Sequence, residues 1–116
     1  MKSLATVTEK DIETIKMALN DSISEINTEL KEELVEKKKI GLVDFKNKYS
    51  KVYEKLRQNP SIYSLSEAEL DITAGALNDA IQLIEENITD DLTEEEQEEI
   101  MDYKNTCDRL IELLAG

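Results

Sequence analysis

The side chains in this sequence best able to do chemistry are carboxylates, and they crowd into one stretch. Glu85, Glu86, Asp90, Asp91, Glu94, Glu95, Glu96, Glu98, Glu99 and Asp102 follow one another with no basic residue before Lys104. Such a cluster serves three chemistries: holding a hard cation, acid–base catalysis by paired carboxylates, or an electrostatic surface for a basic partner. Spacing tests the first. Counted from Asn87, oxygen-bearing side chains fall at positions one, three, five, seven and nine, with Glu98 at twelve. A calcium loop needs glycine at position six for its sharp turn, and this one has Leu92 there. Position one is Asn87 where Asp would be expected, and Thr89 and Thr93 are weak ligands. A capped acidic loop explains the stretch better, and no metal is expected.

Catalysis is not expected either. The chain has no histidine. That removes His-based triads, the usual general base, and the Glu-x-x-His pattern of di-iron bundles. Gly-rich phosphate loops and the GxSxG elbow are absent. Cys107 is a lone thiol at a helical seam position and reads as a small buried hydrophobe with no base to activate it. Nothing in the pattern makes a cleft for sugar. The reading is a non-catalytic protein with no cofactor.

The cations are placed elsewhere. Residues 1–57 hold 12 basic and 11 acidic side chains, whereas residues 58–116 hold 2 basic and 16 acidic. Lys37, Lys38 and Lys39 suit a solvated helix C-terminus better than a phosphate site. Lys46, Lys48, Lys51, Lys55 and Arg57 lie near Tyr49 and Tyr53, a composition that nucleic-acid surfaces share. The acidic half argues against that, and the lysines are expected to lie alongside it, within the chain or across a dimer. A field of one sign repels nucleic acid and anionic membrane and attracts basic protein surfaces. The expected partner is therefore a protein with a basic surface, through Glu85, Glu86, Asp90, Asp91, Glu94, Glu95, Glu98, Glu99 and Asp102.

The elements that must carry these residues are helical. One proline, three glycines and few aromatics favour an all-α fold with an aliphatic core. A length of 116 residues suits one domain, 1–116. No apolar run approaches a membrane span, no signal-peptide core follows Met1, and one cysteine fits a reducing compartment. A cytoplasmic location is expected.

The organising unit is an acidic helical hairpin over 66–116. Ser66-Glu67-Ala68-Glu69 and Thr93-Glu94-Glu95-Glu96 both have the form of a capping box. Leu70, Ala74, Leu77, Ile81, Ile84 and Ile88 draw one seam, and Ile100, Tyr103, Cys107, Leu110 and Leu114 another. Like-charge pairs such as Glu94/Glu98 cost roughly 0.2–0.5 kcal/mol each. Burying each large seam residue is worth about 1.5–3 kcal/mol, so burial wins and the hairpin folds. Within its first helix Ala74, Gly75, Ala76 and Ala80 form a small-residue patch, suggesting close approach of another helix.

Upstream, residues 1–7 are expected to fray, and Thr8 to cap a first helix. Ile12, Ile15, Leu19, Ile23, Ile26, Leu30 and Leu34 keep one stripe in phase, which predicts an unbroken helix over 9–40 with Gly41 as its cap. The alternative is a break at Asn20-Asp21-Ser22. Helices over 42–58, 67–88 and 94–114 complete an irregular bundle of about four, with a linker over 59–65. At about 45 Å, the first helix would outrun the hairpin and offer its overhang to a second copy.

Three functional expectations follow. The first is a non-catalytic adaptor or regulator that binds a protein through a helical acidic surface. The second is an inhibitor that mimics nucleic acid, of the kind phages and other mobile elements carry. The third is a self-associating assembly protein.

Overall fold

The computed structural model describes residues 4–88 and 91–115. Its four long helices are α1 (Glu9–Glu29), α2 (Glu36–Gln58), α3 (Glu67–Asn87) and α4 (Glu94–Ala115). No strand occurs among the described residues. Short 3-10 turns precede α1 (Leu4–Thr6) and α3 (Ile62–Ser64). Within the expected fraying segment, residues 1–7, Leu4 and Val7 are half-buried against the core.

Three of the helix starts are set by reciprocal side-chain caps. The Thr8 hydroxyl accepts from the Asp11 N–H (3.1 Å) while Asp11 accepts from the Thr8 N–H (3.0 Å). Ser66 and Glu69 repeat this at 3.2 and 3.0 Å, and Thr93 and Glu96 at 3.1 and 3.5 Å. Each box satisfies donors that a helix N-terminus leaves orphaned. By contrast α2 starts at Val35 with no side-chain cap.

The helices alternate in direction. Helix α3 packs most extensively on α4 and α1 on α2, while α1 and α3 meet across the middle. Ile15, Leu19, Leu56, Leu77, Leu110, Val52 and Cys107 are fully buried between them. Ala76 and Ala80 are buried too, and the Ser22 hydroxyl of α1 reaches the Ala76 carbonyl at 3.5 Å. The helix that approaches the small-residue patch is therefore α1 of the same chain. Gly75 plays no part in that approach. It is exposed, and a Cβ there would meet only the Tyr49 hydroxyl, at an ordinary 3.8 Å.

Two helix boundaries depart from the sequence reading: α1 stops short of residue 40, and α2 starts at Glu36 instead of residue 42. The stripe from Ile12 runs through Asn20-Asp21-Ser22 without a break, but α1 ends at Glu29, not at residue 40. Bonds from Lys31 N–H to the Thr28 carbonyl (3.2 Å) and from Glu32 N–H to Glu29 (3.0 Å) tighten its last turn. Propensity alone would let the helix run on. Turning back at 30–35 lets Tyr49, Val52 and Leu56 bury against α1, and that burial outweighs a few more helical residues. Gly41 is consequently inside α2 with open space around it, and caps nothing. Lys37, Lys38 and Lys39 sit in the first turn of α2, the positive end of its dipole, where cations are disfavoured. The helical overhang that motivated pairing through α1 does not exist.

The bundle closes at one end and opens at the other. At the closed end Arg109 of α4 pairs with the buried Asp11 of α1, and Lys55 of α2 meets Glu69 of α3 at 2.7 Å. At the open end the seam outruns its partners: Ile84 is half-buried and Ile88 exposed, although the seam pattern puts both in the core. Extents of 42 × 40 × 24 Å describe a splayed, flattened body. Its radius of gyration, 14.9 Å, exceeds the value of about 13 Å usual for this length.

Candidate functional site

The open end carries the acidic residues. Glu94, Glu98 and Asp102 run along α4 in four-residue steps, and Glu95 and Glu99 form a parallel row beside them. Both rows lie away from the seam that buries Cys107, Leu110 and Leu114, because three-and-four spacing puts the apolar and acidic sets on different faces. All five are exposed. Glu94, Glu98 and Asp102 flank a shallow depression with Gln97 and Met101. Glu85, at the end of α3, accepts a 2.9 Å ion pair from Lys104, and among the described residues that is the one ion pair on this face. Asp91 is exposed in the connecting loop, whereas Asp90 lies outside the described residues.

Positions one and three of the calcium count are Asn87 and Thr89. Neither the Asn87 side chain nor Thr89 lies within the described residues. Among those that are described, no group of three or more His, Cys, Asp or Glu side chains could hold a metal ion.

Glu86 belongs to a different feature. It lines an open groove of about 550 Å³ between α1, α2 and α3. Ile26, Leu42 and Phe45 supply its apolar walls, and Glu25, Glu29, Asp79 and Glu86 its charges, with no basic residue among the lining. At its base the Tyr49 hydroxyl donates to Asp79 Oδ2 at 3.1 Å. Burial and the adjacent Asp79 carboxylate both push the Tyr49 phenol above its ordinary range, so it remains a donor. A second groove on the other side of the α1–α3 pair is lined by Ala80, Leu83, Ile84, Ile88 and Ile100 beneath Asp21 and Glu25.

Sequence reasoning missed both grooves. Leu42 and Phe45 lie in phase with the buried Tyr49, Val52 and Leu56, and periodicity alone does not show where a facing helix stops. Phe45, in seam register, is 52% exposed because it borders the open groove between α1, α2 and α3 instead of packing against a facing helix.

Cys107, Glu69 and Asp11 lie in the packed part of the bundle, away from both grooves. Cys107 is fully buried, and burial pushes its thiol up to about 11, so it stays protonated and unreactive. The Lys55 ammonium holds the Glu69 carboxyl below its ordinary value, with help from the Ser66 N–H. Asp11 is raised by burial, but its bonds from Thr8 and Arg109 outweigh that and leave it lowered.

No helix among the described residues is long and apolar enough to cross a membrane. Family models, curated proteins and solved structures offer no match to this chain.

Proposed function

We propose that this protein is a non-catalytic adaptor or regulator that binds a basic protein surface through the acidic face of α4 and the end of α3. The observation that carries the reading is the pair of exposed carboxylate rows, Glu94–Glu98–Asp102 and Glu95–Glu99, opposed among the described residues by one ion pair, at Glu85. Uncompensated charge of one sign costs a small domain stability through self-repulsion. A partner bearing lysines or arginines would relieve that cost and gain speed of encounter from the same field.

The test uses the full chain as bait in extract from its native host, beside the triple variant Glu94→Gln, Glu98→Gln, Asp102→Asn. A partner held at low salt, released at about 0.5 M salt and lost from the variant fits the proposal. No partner, or one the variant holds equally well, overturns it.

A second reading has a specific observation of its own. Six carboxylates lie within the nine residues from Glu94 to Asp102 of α4, about 12 Å of helix axis, which is one charge every 2 Å or so. Duplex DNA carries one per about 1.7 Å, so α4 comes near the density of a phosphate backbone. On this reading the protein mimics nucleic acid and inhibits a DNA- or RNA-handling protein. Displacement of the captured partner by duplex DNA would favour mimicry; indifference to duplex would favour the adaptor.

A further inference from the structure

The start of α2 is the least accommodated part of the fold. Residues 36–41 are all exposed, the helix has no side-chain cap, and three lysines sit at the end of the dipole that disfavours them. Large apolar side chains point outward around it. Val35 is 73% exposed, Ile40 64% and Val43 43%. Clustered exposure of this kind on a small protein marks a surface that something covers. Residues 36–51 carry six lysines against two acids, Glu36 and Asp44, so the segment is basic and amphipathic.

Beside it lies a surface with the opposite charge. The groove between α1, α2 and α3 has apolar walls, and its charged lining is entirely carboxylate: Glu25, Glu29, Asp79 and Glu86. The segment that seeks cover and the groove that could give it are thus complementary in both charge and polarity. Within one chain they cannot meet, because Leu42 and Phe45 of the same helix form the groove's wall while Ile40 and Val43 lie toward the opposite side of α2.

We infer that the groove's occupant is the beginning of α2 from a second copy of this chain, in a two-fold dimer. In a two-fold pair each copy gives a basic apolar helix start and receives one, so both grooves fill and no surface is left to propagate a fibre. Carboxylates from the partner copy would offset Lys37, Lys38 and Lys39 at the uncapped helix start. The arrangement is independent of the acidic face of α4, which stays open to another protein.

Sedimentation velocity on the full chain decides the matter, run up to about 1 mM at salt near 20 mM and near 500 mM. The expected result at low salt is a species of twice the 13.2 kDa chain mass, with the dimer's affinity weakened about tenfold or more at high salt. Ile40→Glu and Val43→Glu change exposed positions, so both should keep wild-type circular dichroism and lose the dimer. Glu29→Gln combined with Glu86→Gln should weaken it without touching the basic helix. A chain that stays monomeric at every concentration overturns the inference, and then the groove awaits a foreign helix. A dimer whose dissociation constant ignores the Ile40 and Val43 substitutions overturns it equally. Neither result bears on capture through α4, which the triple variant tests separately.

Discussion

Glu69 shows how much one side chain does in this fold. Its carboxylate accepts from the Ser66 N–H to close the cap of α3 and from Lys55 to join α3 to α2, and it does both while buried. Glu69→Ala should cost about 1–2 kcal/mol, the usual loss for a cap, read as a lower urea midpoint with an unchanged m-value. The pH dependence follows from the sign of its shift. Its folded-state value lies below the ordinary 4.5, so its contribution is complete above that range. The contribution is lost as pH falls through the depressed value, because the unfolded chain takes up the proton first. Asp11 is likewise lowered from 3.8 and acts in the same direction. Wild-type stability should therefore drop below about pH 4.5, and Glu69→Gln should flatten that drop. At Cys107 the expectation is kinetic. Buried and held protonated, the thiol should resist alkylation at neutral pH in the native protein and react readily in urea. These residues were legible from local pattern: the Ser66–Glu69 and Thr93–Glu96 boxes and the seam position of Cys107 are matters of spacing within one helix.

At the scale of elements, legibility depended on whether a partner element was involved. All four helices were readable from apolar spacing, and three starts from their caps. The turn at residues 30–35 was not. No glycine or proline marks it, and its cause is the burial of Tyr49, Val52 and Leu56 against residues more than twenty positions upstream. Gly41 misled for the same reason, since a glycine after three lysines resembles a helix end. Its true place gives a test. Gly41 lies inside α2, and a Cβ added there would have nothing within 4 Å. Gly41→Ala should therefore stabilise the protein by about 0.5–1 kcal/mol through helix propensity, read as a higher urea midpoint. Were residue 41 the left-handed cap, the same change would destabilise. Leu77→Ala, in the middle of α3 and fully buried, should instead cost about 2–5 kcal/mol. The grooves were illegible because each is bounded by residues of three helices, and no single helix encodes the gap between its neighbours.

For the whole molecule, the net charge of −13 sits on a body whose acidic helices share one open end. Screening should help such a protein more than it harms the few surface pairs. Tm is expected to rise between about 10 mM and about 200 mM sodium chloride, measured by circular dichroism in the helix band, whereas a fold held mainly by its ion pairs would melt earlier. The division of charge was plain from the order of residues. That the same end also leaves apolar side chains such as Ile88 and Met101 uncovered was not.

The clasp between Asp11 and Arg109 joins residues 98 positions apart. During synthesis α1 leaves the ribosome long before α4 does, at about 5–20 residues per second. Through those seconds Ile12, Ile15 and Leu19 have only part of their final neighbours. A nascent chain arrested before α4 should therefore be cut by protease faster than one that carries α4, which supplies Cys107, Leu110 and Leu114 to the core.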